Sequence, residues 1–201
     1  MCFLCLWDSR DDARHYKQKN WPPRDQHVVG KHNVNCKALV DPSKIYLPPL
    51  HIKLGLMKNF VRAMDFQGNG FKYLKEKFGA VLTDAKIKAG VFVGPQIRQL
   101  INDSDFRSKL SPKEKAAWDA FVDVVKNFLG TYRADNYAEL VETLLQRFQK
   151  MGSRMSLKIH FLHSSSRPPS VMADHGKYFH LKTFLKPIRI SLGKASNVAY
   201  D

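Results

Sequence analysis

The sequence is short of several things, and each shortage closes a line of function. Cysteine occurs three times, an odd and small number that argues against a disulfide framework and for thiols that are free or metal-bound. Long apolar runs are missing: the hydrophobic stretches are brief and broken by lysine, so no segment reads as a membrane span of about 20 residues. The start, Met1-Cys2-Phe3-Leu4-Cys5-Leu6-Trp7-Asp8, has no basic n-region and no small-residue cleavage site, unlike a signal peptide. These absences predict a nuclear or cytoplasmic protein that is neither secreted nor embedded in a membrane. No glycine loop followed by Lys-Ser/Thr is present, Gly68-Asn69-Gly70 reading as a turn. Ser164-Ser165-Ser166 lacks the frame of a nucleophile elbow. No internal repeat is found.

Acidic residues are scarce too. Against 18 Asp+Glu stand 33 Lys+Arg, a formal charge of +15 with the eight His neutral, over 201 residues. Hydrophobic residues at 44% and charged residues at 25% are ordinary globular proportions, suited to one domain or two small ones. Residues 1–50 carry 8 basic and 5 acidic side chains, residues 51–150 carry 17 and 11, and residues 151–201 carry 8 and 2. Such an excess attracts phosphate backbones by counterion release, and acidic proteins by the same Coulomb attraction. DNA is the expected partner.

The pattern predicts a mainly α-helical chain with little or no sheet, divided into an irregular, proline-rich N-terminal arm over 1–50, a helical domain over 51–163 and a basic C-terminal segment over 164–201. Trp21-Pro22-Pro23, Asp41-Pro42 and Leu47-Pro48-Pro49 impose extended or turn conformations on the arm. From His51, the residues Ile52, Leu56, Met57, Phe60, Val61 and Met64 recur at helical spacing. Shorter helices fit 71–78 and 95–101. The strongest prediction is a helix from Pro112 to Leu129, opened by a Ser111/Glu114 capping box with proline at the first helical position. A partner helix over 135–151, closed by Gly152, packs antiparallel to it. Met155, Leu157, Ile159 and Phe161 alternate as a strand would, but the segment is short and helix is preferred. Ile188, Ile190 and Leu192 suggest one short strand.

Cys2-x-x-Cys5 lets two thiolates reach one tetrahedral metal, and His175-x4-His180 offers a spacing suited to the other half of a Cys2His2 zinc site. The 169 residues between the pairs would make this a staple between distant segments. A competing pair is His160 and His163, which share a face if their segment is helical. The plain alternative is that the thiols are buried apolar groups. Asp174 with His160, His163, His175 and His180 could form a metal-dependent nuclease site, although Asp174 also suits a turn cap. Cys36 reads as a buried or free thiol. Arg14, Lys17, Lys19 and Arg24, interleaved with His15, Tyr16 and Trp21, suit a nucleic-acid-binding loop with stacking aromatics. Lys182, Lys186 and Arg189 extend the basic set in the last segment. The rival reading of Trp21 is an anchor for the arm.

The segments Cys2–Arg10, Leu47–Val61, Gly90–Ile97 and Met155–His163 resemble a family of animal proteins, abundant in insects and other invertebrates, that behave like products of mobile elements. The resemblance covers about residues 2–180. Family members are longer, and their layout is similar to the RNase H-like transposases of the Transib, hAT and recombination-activating group. In those enzymes a catalytic Asp precedes a Cys-x-x-Cys, a helical insertion follows, a His-x4-His completes a zinc site, and a catalytic Glu comes afterwards. The resemblance implies that Cys2, Cys5, His175 and His180 hold zinc, and that both catalytic carboxylates lie outside this chain, in an absent catalytic core. This sequence departs from the family around the His pair, where Asp174 and Lys177 each replace a Glu, and residues 181–201 match nothing in it. The expected function is that of a fragment or degenerate copy of a transposase-like protein: a basic, zinc-stapled, DNA-binding helical domain without a complete active site. The rivals are the nuclease and a helical protein-interaction module.

Overall fold

A computed structural model of the chain describes residues 2, 5–24, 28–31, 34–37, 39–40 and 48–166. The fold is mainly α-helical. Its helices are α1 (Pro49–Arg62), α2 (Asn69–Phe78), α3 (Asp84–Lys88), α4 (Gly94–Ile101), α5 (Ser104–Lys109), α6 (Pro112–Asn127), α7 (Tyr137–Met151) and α8 (Leu157–Ser165). Among the described residues the only β-pairing is one isolated antiparallel bridge between Cys5 and Pro23. The strand expected over 188–192 lies outside the described residues.

Helix α6 forms where its caps predict, with Ser111 as N-cap and Pro112 in the first turn. Glu114, although buried, is satisfied: it accepts from the Ser111 amide at 2.9 Å and the Ser111 hydroxyl at 2.8 Å, and from the Asp65 amide at 3.1 Å. One carboxylate therefore caps α6 and ties it to the α1–α2 loop, a fully bonded buried charge being tolerable where an unbonded one is not. Helix α7 closes on Gly152 in the left-handed conformation and packs along α6. Leu144, Leu145 and Phe148 from α7 meet Phe121 and Val124 from α6 in one core with Phe60 and Trp118.

Two short helices, α3 and α5, were not expected. Each starts at a polar cap: the Thr83 side chain accepts from the Lys86 amide, and Asp103 accepts from the Asp105 and Phe106 amides. The segment read ambiguously from Met155 to Phe161 is helical from Leu157 onward, started by the Ser156 side chain.

Two glycines set how closely elements approach α1. Gly90, at φ +67°, lies where a Cβ would fall 2.7 Å from the Lys58 Cα, so only glycine lets the α3–α4 turn press on α1. Gly55 faces α8, where a Cβ would fall 2.4 Å from Cγ of Lys158. Helix α8, which carries His160, can thus lie against α1.

Asp103 joins α2 to α5. Its Oδ1 caps α5, and its Oδ2 accepts from Tyr73 at 2.9 Å and from Lys77 at 2.7 Å. Partial burial opposes the charge, but Lys77, the Phe106 amide and Tyr73 outweigh it and hold the carboxyl below the usual Asp range. A depressed folded-state pKa stabilises the fold above the unfolded-state value, about 3.9 for Asp, and that contribution is lost as pH falls through the folded value. Asp103→Asn is therefore expected to lower the melting temperature by a constant amount from pH 5 to 8. The gap between the two proteins should narrow below about pH 4; a gap that ignores pH in calorimetric scans would count against a charged Asp103.

Candidate metal centre

The N-terminal arm folds back across the α7–α8 end of the helical body and is held there by long-range contacts. Tyr16, itself at φ 61°, donates its hydroxyl to the Ser153 carbonyl at 2.9 Å, and burial pushes this phenol above its ordinary range. Lys19 pairs with Glu142 on α7, and the Leu6 amide donates to the Pro22 carbonyl at 2.9 Å. Trp7 is fully buried. Its ring lies between two imidazoles, stacked on His15 at 5.1 Å and on His160 of α8 at 4.8 Å. His15 is fixed in turn by Nε2 donating to the Asp8 carbonyl at 2.7 Å, while its buried Nδ1, 3.3 Å from the Asp12 carboxylate, makes no hydrogen bond among the described residues.

This stack aims the edge of His160 at the thiols. Nε2 of His160 is 3.2 Å from Sγ of Cys5, and the donor atoms of Cys2, Cys5 and His160 all lie within 4.8 Å of one another. Across a tetrahedral zinc with bonds of about 2.3 Å to sulfur and 2.0 Å to nitrogen, S and N stand about 3.5 Å apart. The cluster is near metal-binding distance. Its backbone suits a thiolate as well, since the Trp7 amide donates to Cys5 Sγ at 3.5 Å. The Cys2 amide donates to the Trp7 carbonyl at 3.1 Å, which closes the turn carrying both thiols.

Without a cation the pair resists ionisation. A hydrogen bond from the Cys5 thiol to the Cys2 sulfur, burial, and repulsion between the two sulfurs push the Cys5 thiol far above its usual range, while the Trp7 amide and the Arg24 charge pull the other way. A divalent ion would reverse that balance by supplying positive charge where two thiolates crowd.

The residues expected to act in function fall into three groups. Cys2 and Cys5 are brought together, and His160 joins them, whereas His163 lies 3.6 Å from Glu142 and does not share their centre. His175, His180, Asp174, Lys182, Lys186 and Arg189 lie outside the described residues. In the arm, Arg24, expected as a phosphate contact, is buried close enough for its charge to act on Cys5. Arg14 is paired with Asp11 and Lys19 with Glu142, while Lys17 stays exposed. Trp21 is an anchor: it is partly buried against the core, and the Arg14 guanidinium covers its ring at 5.1 Å. Cys36 is exposed and free. Among the described residues no helix is long and apolar enough to cross a membrane.

Comparison with known proteins adds two similarities. Residues 1–40 match a domain of unknown function, DUF8703, and residues 49–130 match another, DUF8704. No curated protein and no solved structure matches the chain.

Proposed function

We propose that this chain is a zinc-stapled, basic helical module that binds DNA as part of a transposase-like protein, without a complete active site of its own. The observation that carries the reading is the convergence of Cys2 and Cys5 from the arm with His160 from α8. Two thiols and an imidazole are a donor set suited to zinc. Residues 155 positions apart meet there, so the ion would fasten the arm to the helical body. A closed tetrahedral centre takes one more donor. With His160 in place, no more than one of His175 and His180 completes it, the other being free for a different role.

The ion would supply positive charge to the crowded sulfurs; this chain's residues do the rest. Trp7 holds the His160 ring by stacking, and the Trp7 amide holds Cys5. Because both thiols must lose protons, zinc affinity should fall as pH is lowered. The DNA part of the reading rests on the +15 charge.

Purified protein is expected to carry one zinc per chain by elemental analysis, and duplex affinity should fall steeply with salt, by about −0.9 in log–log slope per phosphate contacted. Metal-free protein whose arm is as protected from hydrogen exchange as that of the zinc-loaded form would remove the staple. A flat salt response would remove DNA.

A further inference from the structure

The excess positive charge is not spread evenly over the helices. The α6–α7 pair, residues 112–151, holds six basic and six acidic side chains, whereas residues 49–101, from α1 to α4, hold nine and three. Helices α1 and α4 contain no acidic residue. The single carboxylate of α3, Asp84, is engaged by Lys75 of α2 at 2.8 Å. Helix α1 packs against both α3 and α4, which brings these cation-bearing helices next to one another.

Lys53 of α1 lies close enough to Arg98 of α4 for the two charges to repel, and its stem is partly buried there; that burial, then the Arg98 charge, hold the ammonium below the usual lysine range. Lys58 follows on α1, with its backbone against Gly90, two residues beyond Lys88. Lys58, Lys86, Lys88 and Arg98 are all exposed. Among the described residues, none of these five cations has a carboxylate within ion-pair distance. In the arm, by contrast, Arg14 and Lys19 are paired and Arg24 is buried.

We infer that the face built by α1, α3 and α4, centred on Lys53, Lys58, Lys86, Lys88 and Arg98, is the surface that takes the phosphate backbone of duplex DNA. The inference rests on the DNA reading above and gives it a location other than the arm. Adjacent like charges raise the energy of the free protein, and an evenly spaced polyanion relieves it. Five residues apart, Lys53 and Lys58 lie about 140° apart around α1, so they would meet a duplex from two flanks of the face, Lys53 beside Arg98 and Lys58 beside Gly90. Phosphate contacts of this kind position a duplex without reading its sequence.

The test uses the zinc-loaded full chain and a fluorescent 20-base-pair duplex, titrated at several salt concentrations. Lys58→Glu/Lys88→Glu is expected to weaken binding at least about tenfold at 0.1 M salt and to make the slope shallower by about 1.8. Lys126→Glu/Lys150→Glu, on the exposed surface of α6 and α7, changes net charge by the same amount and should leave affinity within about twofold. Equal losses in the two variants, or none in the first, would overturn the location while leaving DNA binding intact. Wild-type protein that binds polyglutamate but no duplex would assign the face to an acidic protein and overturn the inference together with the DNA reading.

Discussion

Under the proposed zinc staple, His160→Ala is expected to abolish zinc binding and release the arm while leaving the helical body folded. The imidazole does two things at once: its Nε2 sits 3.2 Å from Cys5 Sγ, and its ring covers one face of the buried Trp7. Its loss leaves two crowded thiols with one fewer donor and exposes a tryptophan face that stacking had covered. Zinc in small Cys/His folds contributes on the order of 10–16 kcal/mol of apparent binding energy at neutral pH, far more than the remaining polar bonds of the arm. Tyr16 to Ser153 and Lys19 to Glu142 are single bonds of the kind that contribute about 1 kcal/mol each. Hydrogen exchange in residues 5–24 should therefore rise toward unfolded rates, with protection in α6 and α7 kept.

The same experiment decides between two ligand sets. If His160 is a donor, His160→Ala loses the metal, and only one of His175→Ala and His180→Ala does so. If instead His160→Ala keeps its zinc and both of the others release it, the centre is Cys2, Cys5, His175 and His180, and His160 serves only to pack Trp7. Cys5→Ser should lose zinc in either case, which makes it the positive control.

The sequence signals that succeeded here are local ones. The capping box at Ser111 and Glu114, the proline at 112 and the glycine at 152 specify chain ends within a few residues, and α6 and α7 begin and end close to them. Helices α3 and α5 escaped because five and six residues are too few to display a 3.6-residue period, each burying one large apolar side chain, Ile87 or Phe106. Their only legible mark was the cap, Thr83 or Asp103. The segment before His163 was harder to read, although the helix preferred for it is the one that forms: Ile159, His160, Phe161 and Leu162 are all buried, so α8 shows no clear amphipathic period. The Cys-x-x-Cys was visible because its spacing is short. The approach of His160 was not, because it depends on the arm crossing to α8 and on Gly55 letting α8 settle against α1, and neither leaves a trace in spacing.

Trp118→Ala should produce the opposite pattern to His160→Ala, a global loss of stability with the metal centre destroyed only as the whole fold melts. Trp118 is almost fully buried in α6 and touches aromatic rings from two other helices, Phe60 of α1 at 5.2 Å and Phe106 of α5 at 4.9 Å, the latter edge-on. Phe121 on its own helix completes the cluster at 5.3 Å. Truncation removes the transfer energy of one of the two largest side chains in the core and leaves a cavity that three rigid rings cannot collapse into, a combination that costs about 3–5 kcal/mol. For a chain of this length that corresponds to a fall of about 10 °C in melting temperature. Trp118→Phe keeps a ring against both Phe60 and Phe106 and should recover a large part of the loss. The contrast separates the two kinds of support. In Trp118→Ala, protection of the arm and of α6 should fall together in one cooperative transition, because the arm rests on the body that Trp118 organises. In His160→Ala the arm should open first, at a denaturant concentration where α6 is still protected. Coincident transitions in both variants would show that the arm and the helical body are a single folding unit, with zinc stabilising all of it rather than the staple alone.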